Sequence, residues 1–340
     1  MRHTILAVFL ASFTLPALAE SPPFHAAVTR LTVQDATAPI DTAVFYPTQA
    51  PETPWHAGPF IVDASRDAPF IDNRSFPVVL LSHGRGGGPL IHRELATALA
   101  RNGFVVVVPT HVGDASGFPA AKTQAQILID RPRQAEEALN AVLSNPRFAP
   151  HVDANRIGMI GYSAGGYTAL ILAGARPDFG YANQFCTTHD DPASCGRRRT
   201  SEAEATLPTA ASSVQTASTN LAVWNPPTEP RLKALVLMDP LAVMFNASSF
   251  SAIHIPTLLY RPQSDALLSA PRNALAVASG LPVTPQQQIV PGSHFVFIDP
   301  CPSQIAADAP LVCEDAPGVD RPAIHRQIEN QVADFLHAHL

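Results

Sequence analysis

The stretch Arg156-Ile157-Gly158-Met159-Ile160-Gly161-Tyr162-Ser163-Ala164-Gly165-Gly166 decides the reading of this chain. Its first half is a short apolar run of the kind that forms a strand buried on both faces. Its second half reads G-x-S-x-G and opens an Ala- and Leu-rich segment, Ala164 to Ala173, with helical spacing. A strand that turns within two residues into a helix needs small neighbours, and it leaves Ser163 strained at the apex with its hydroxyl exposed. The helix would point its amino end at that hydroxyl, which favours negative charge developing there. A plain glycine-rich turn is the alternative; the strand before and the helix after argue against it.

Outward from this point the chain alternates. Before it, Phe76 to Ser82 (FPVVLLS) and Phe104 to Val108 are predicted buried strands. Helices are expected over Ile91 to Arg101, stopped by Asn102-Gly103, and over Ile127 to Leu143, with Pro132 bending it or lying in its first turn. After it, Leu235 to Met238, Thr257 to Tyr260 and Gln288 to Val290 read as further strands, and Arg321 to His337 as a closing helix. Arg30 to Val33 and Ile40 to Tyr46 read as an early strand pair, the second ended by Pro47, and residues 47–73 as an irregular loop. Strands joined through helices on short connections imply an α/β fold, a mostly parallel central sheet with helices on both faces. Residues 176–230 break the alternation and are read as a lid-like insertion, a partial cover at the C-terminal edge of the sheet.

Composition narrows the function. The 340 residues are 46% hydrophobic, ample for a large core, and carry 22 basic against 28 acidic residues, a formal charge of −6. No basic tract exceeds Arg197-Arg198-Arg199, so nucleic acid is not an expected partner. Ile5 to Leu15 is apolar after Arg2-His3 and is followed by Ala17-Leu18-Ala19, the pattern of a secretory signal cleaved after Ala19. Residues 1–19 are therefore read as a signal peptide and 20–340 as one α/β domain that is periplasmic or secreted. No run is long enough to span a bilayer. The four cysteines agree with export, and the local pairing Cys186–Cys195 with Cys301–Cys313 is favoured. Their spacing does not suit a metal site, and His337 and His339 read as exposed helix residues.

The chemistry expected at Ser163 needs a base, an acid and oxyanion donors. Gly292-Ser293-His294 follows the last strand, where a neutral imidazole could take the serine proton. His111 also follows a strand but precedes the serine, so it is read as a pocket residue. The acid is Asp265, after the strand Thr257 to Tyr260, or alternatively Asp239, at the end of the strand before it. Ser82-His83-Gly84-Arg85-Gly86-Gly87-Gly88 follows a buried strand, and the main-chain N–H groups of Arg85 and Ala164 are the candidate oxyanion donors. A phosphate loop is disfavoured because G-x-x-x-x-G-K-[ST] is absent. His83 is expected to brace the loop.

These residues resemble the α/β-hydrolase superfamily, in its dienelactone-hydrolase-like branch related to the platelet-activating-factor acetylhydrolases. The stretches that carry the resemblance are Phe76–Gly88, Arg156–Gly166, Ala234–Pro240, Pro256–Asp265 and Pro291–Pro302. The resemblance implies an ester hydrolase with Ser163 as nucleophile, His294 as base and the turn His83-Gly84-Arg85 at the oxyanion, acting on a small-molecule ester without metal or organic cofactor. Dienelactone hydrolases themselves use cysteine where this chain has Ser163. A lipase or polymer-ester hydrolase would need an apolar rim, for which Phe118, Phe179 and Trp224 are candidates. A peptidase and a non-catalytic binding module are the remaining alternatives.

Overall fold

A computed structural model describes residues 22–117, 124–188 and 224–340. The apolar runs become the strands β1 (His25–Val33), β2 (Ile40–Thr48), β3 (Trp55–Ala57), β4 (Phe60–Val62), β5 (Ser65–Arg66), β6 (Phe76–Ser82), β7 (Val105–Pro109), β8 (Val152–Tyr162), β9 (Leu232–Met238), β10 (Thr257–Pro262) and β11 (Gln286–Val290). Nine of them form one sheet in the order β11-β10-β9-β8-β6-β7-β2-β1-β5. From β7 to β11 every neighbouring pair is parallel, while β2 pairs antiparallel with both β7 and β1. This is the α/β architecture expected.

Side-chain alternation assigns the two faces. Val78, Leu80, Val107, Met159 and Leu237 pack with Leu128, Leu139, Leu170 and Val277 on one side. Val79, Leu81, Val106, Ile160 and Val236 pack with Leu95, Leu99, Ile328 and Leu336 on the other. The first face is covered by α2 (Gln124–Ser144), α3 (Ala164–Leu172), α4 (Phe179–Thr188) and α5 (Ala274–Gly280), the second by α1 (Arg93–Arg101) and α6 (Arg321–His339). Since both faces are covered, the middle of the sheet is apolar, with β6 buried at every position and β8 buried from Ile157 onward.

Several local expectations are corrected. Pro47 does not end β2: it pairs with Ala26 toward the end of a strand that runs to Thr48. Residues 47–73 are not wholly irregular, because β3 and β4 pair as a hairpin and β5 adds to the sheet beside β1. Pro132 sits inside α2 rather than in its first turn. A proline there cannot donate to the carbonyl four residues back. That carbonyl, on Leu128, accepts the Tyr167 hydroxyl of α3 at 3.2 Å.

The insertion is described in part. Phe179, Ala182 and Phe185 of α4 are buried in the core, and Trp224 packs against the same cluster. Phe179 and Trp224 are therefore packing residues and not the apolar rim considered above; Phe118 lies outside the described residues. Cys301 and Cys313 form the expected disulfide, and Cys186 is disulfide-bonded as well. Its expected partner Cys195, the tract Arg197–Arg199 and the signal segment 1–19 all lie outside the described residues.

Candidate active site

Ser163 links β8 to α3 at φ 53°, ψ −116°, a left-handed backbone that a non-glycine residue adopts only under constraint. The constraint is visible in its hydrogen bonds. The Ser163 N–H donates to the Met238 carbonyl at 3.0 Å, and its own carbonyl accepts from Gly166 at 2.8 Å and Leu241 at 2.9 Å. Close packing explains the glycine after it: a Cβ on Gly165 would lie 1.9 Å from the Ser82 carbonyl oxygen. Strand β6 thus meets the turn directly, and the loop that follows β6 is laid against Ser163. A Cβ on Gly84 would stand 2.8 Å from the Tyr162 ring and 3.4 Å from Ser163 Cβ.

His294 begins a short 3-10 turn after β11 and is buried, with Nε2 3.0 Å from Ser163 Oγ. Its Nδ1 lies 2.6 Å from Asp239 Oδ2 and 3.1 Å from Asp265 Oδ2. Sequence reasoning offered the two aspartates as alternatives; both reach the imidazole. Asp239 does so from a residue at φ 46°, and its N–H donates to the Tyr260 carbonyl at 2.9 Å. The Asp265 loop is tied to the histidine loop, since Gln263 and Ser264 donate to the Val290 and Gly292 carbonyls. The Leu267 N–H donates to Asp265 Oδ1 at 2.6 Å.

The electrostatics follow from burial and these contacts. Burial alone would depress the imidazole, but the hydrogen bonds to Asp239 and Asp265 outweigh it and raise His294 to about 9. Burial, joined by the neighbouring Asp265, pushes Asp239 up. Burial also opposes ionisation of Asp265, yet its hydrogen bonds to His294 and Asp239 hold it below the usual carboxylate range.

The loop His83–Gly88 rests on a buried polar cluster. Arg131 of α2 donates to the His83 carbonyl, to Ser82 Oγ at 3.3 Å and to Thr168 Oγ1 at 3.2 Å, and pairs with Asp114. The Gly86 N–H donates to the Asp114 carbonyl and Ser116 N–H to that of Gly87, so two loops support each other. His83 braces its own loop: Nδ1–H donates to the Gly84 carbonyl at 2.7 Å, and Nε2 accepts the His111 N–H at 3.2 Å. His111 is not at the serine; its ring lies 2.8 Å from Ser82 Oγ and 3.4 Å from Gln134. Ala164 is the first residue of α3, so its N–H has no intrahelical acceptor. Arg85 stands in the loop beside Ser163.

Two residues escaped the sequence reading. Tyr162, the variable position of G-x-S-x-G, packs its ring 5.2 Å from the imidazole and donates its hydroxyl to the His294 carbonyl at 3.1 Å. Arg131 carried a weak signal, a charged residue preceding a proline on an otherwise amphipathic helix. Among the described residues, carboxylate and imidazole atoms converge within 4.8 Å at two places, Asp239-Asp265-His294 and Glu94-Asp299-His325. At the first, both imidazole nitrogens are engaged by Ser163 and the aspartates. At the second, the Arg93 guanidinium lies 3.5 Å from Asp299 and opposes a cation.

Residues 69–203 match the dienelactone hydrolase family. No curated protein matches the chain.

Proposed function

We propose, on the premise that this chain is an α/β-hydrolase whose residues 69–203 match the dienelactone hydrolase family, that it hydrolyses carboxylic esters through an acyl-enzyme on Ser163. The observation that carries this reading is the 3.0 Å contact between Ser163 Oγ and His294 Nε2 at a positive-φ elbow. Only the neutral imidazole can act, and because, against burial, the two aspartates raise His294 to about 9, that form grows with alkaline pH. In it Nε2 takes the hydroxyl proton as Oγ attacks the ester carbonyl carbon. Nδ1–H remains hydrogen-bonded to its carboxylate acceptors, with Asp265 as the acid of the triad and Asp239 beside it. The carbonyl oxygen becomes an oxyanion toward which the Arg85 and Ala164 N–H groups donate.

Collapse of that intermediate breaks the bond to the alkoxy oxygen, which leaves as the alcohol with the proton from Nε2. Water, deprotonated by the same nitrogen, then attacks the acyl-serine, and the second collapse frees the acid and restores Ser163. These steps use only side chains and backbone of the chain; no metal or organic cofactor enters them. Each well-placed oxyanion donor contributes about 3–4 kcal/mol to the barrier reduction. The substrate class proposed is a small or medium ester; of the candidate rim residues, Phe179 is buried in the core and the partly buried Trp224 packs against it.

The disulfide Cys301–Cys313 supports export, in keeping with the signal pattern over residues 1–19. Residues 20–340 then form the mature enzyme, periplasmic or secreted, with the 176–230 insertion as part of it. Hydrolysis of p-nitrophenyl acetate, butyrate, octanoate and palmitate, compared with Ser163→Ala, tests the activity. Turnover that survives in a folded Ser163→Ala protein rules the reading out, and the acyl-length profile separates small esters from lipids.

A further inference from the structure

We propose that Asp239 and Asp265 serve His294 as a pair holding one proton between them, with Asp239 the neutral acid and Asp265 the carboxylate. This rests on the reading of His294 as the base. An imidazole Nδ1 carries a single hydrogen, yet two carboxyl oxygens stand at 2.6 and 3.1 Å from it. Oxygens of the two carboxyl groups also lie within 4.8 Å of each other. Two ionised carboxylates so placed, away from water, repel one another and divide one donor between them. A proton on one of them turns the repulsive contact into an O–H···O⁻ bond and leaves a single negative charge opposite the imidazole.

The surroundings say which member keeps the proton. Asp265 has the Leu267 N–H on Oδ1, a donor that favours the ionised form. Asp239 is buried, and its Oδ1 has no hydrogen-bond partner among the described residues. As a carboxylic acid, Asp239 accepts Nδ1–H on Oδ2 and has a hydroxyl to donate, so the orphaned oxygen gains a role. The upward push on Asp239 and the downward one on Asp265 run the same way. The other ionisable side chain packed on the imidazole is Tyr162, kept neutral by burial, and Arg321 nearby is paired with Asp315. Neither supplies a competing charge at Nδ1.

Two consequences distinguish a shared proton from a single acid with a bystander. If Asp239 is replaced by Asn, Asp265 still accepts Nδ1–H and the charge facing the imidazole is unchanged. If Asp265 is replaced, Asp239 loses its proton and takes over. Asn suits both positions because it keeps the side-chain shape and tolerates the left-handed backbone of residue 239.

The test compares wild type, Asp239→Asn, Asp265→Asn and the double variant in p-nitrophenyl butyrate hydrolysis. Labelling of Ser163 by a fluorophosphonate in each variant reports that the nucleophile is intact. The expected result is a loss in kcat of at most about tenfold in either single variant and about ten-thousandfold in the double. The acidic limb of kcat/KM stays within about half a pH unit of wild type in Asp239→Asn, whereas two ionised acids in the wild type would shift it down by about one unit or more. Infrared difference spectra at pH 7, wild type minus Asp239→Asn, show the carbonyl stretch of a protonated carboxylic acid. A single variant as impaired as the double, or a wild type without that band, overturns the pair. The infrared result holds even if no ester is turned over, so failure of the esterase reading and failure of the pair are separable.

Discussion

Arg131 and Asp114, both buried, form an ion pair at 2.5 Å beneath the loop that lies against Ser163. The guanidinium also reaches Ser82, His83 and Thr168, so one side chain ties the end of β6, the loop after it and α3 together. Burial lowers the Arg131 pKa, and the Asp114 carboxylate beside it works in the other direction. A cation in such a place persists because each of its three nitrogens is hydrogen-bonded.

Arg131→Met should therefore destabilise the protein by about 3 kcal/mol, because Asp114 loses its close partner and is left with the Arg85 guanidinium at 3.9 Å. Asp114→Asn alone should cost a similar amount for the opposite reason. The double variant Arg131→Met/Asp114→Asn should lose clearly less than the sum of the two. Urea unfolding of the three variants measures the coupling. Losses that simply add would show that the ion pair is not the linchpin of the cluster.

Gly165→Ala should remove activity together with the fold of the site. The added Cβ would meet the Ser82 carbonyl oxygen at 1.9 Å and the His83 carbonyl oxygen at 2.9 Å, both backbone atoms of the loop next to Ser163. Strand β6 cannot retreat, since it is held by β7 and β8 on its two sides. A loss of more than about 3 kcal/mol is expected, above the usual effect of one substitution. Thermal denaturation and fluorophosphonate labelling of Ser163 check it, and a variant that labels at the wild-type rate would contradict this packing.

The parts legible in the sequence are those where a local pattern and its environment coincide. FPVVLLS over 76–82 and the valines at 105–108 are strands buried on both faces, and no other element type suits such short apolar runs between turn signals. Ser163 and His294 were legible because each is fixed to the end of a strand. Strands β3 to β5 were not, since two or three residues carry no periodicity and their pairing depends on neighbours. The same limit applies to the acids. Asp239 and Asp265 both follow strands at one sheet edge, and only the fold shows that each reaches Nδ1. Tyr162 acts on a partner 132 residues away in the chain and Arg131 on partners 17 to 49 residues away, beyond the range of any spacing rule.

Reduction of the Cys301–Cys313 bridge should cost about 3 kcal/mol, the loop-closure entropy expected for a sequence separation of 12 residues. The bridge closes the segment just after the His294 turn, where the Pro300 carbonyl accepts from Arg93 at 3.0 Å and Asp299 accepts from the Glu94 N–H at 2.7 Å. Those bonds do not depend on the bridge, so the His294 turn should keep its place. Cys301→Ser/Cys313→Ser is expected to lower the melting temperature and leave kcat within about twofold, a small change against the size of one lost oxyanion donor. Loss of activity at temperatures where the variant is fully folded would assign the bridge a part in positioning His294.

Stability should peak near about pH 6 and fall on both sides, because buried histidines and buried carboxyls titrate with opposite sign. Burial, with the Arg131 charge adding to it, lowers His83 to about 3 and His111 well below its ordinary value, and burial lowers His92 to about 4. His83 shows the cause in its bonds: a proton on Nε2 would face the His111 N–H that this nitrogen now accepts. A folded value below the unfolded 6.5 means that the unfolded chain binds the proton first. The contribution of each group is whole above 6.5 and is lost as pH falls toward its folded value. Three such groups would give a slope of about 4 kcal/mol per pH unit below 6.5. Asp239 and Glu329, pushed up by burial, keep protons that the unfolded chain has released, and each offsets about 1.4 kcal/mol per unit. The net acidic limb is therefore shallow until pH nears the unfolded carboxylate range. On the alkaline side the sign reverses. His294, raised to about 9 against burial by its two aspartates, binds its proton more tightly when folded, so its contribution is whole below 6.5 and disappears as pH rises through 9. Guanidinium denaturation at half-unit intervals from pH 4 to 10 measures both limbs. The acidic limb should be shallower in His92→Gln, which removes one of the three titrations while leaving the cluster around Arg131 untouched. An unchanged slope in that variant would place the acid sensitivity in the carboxylates instead.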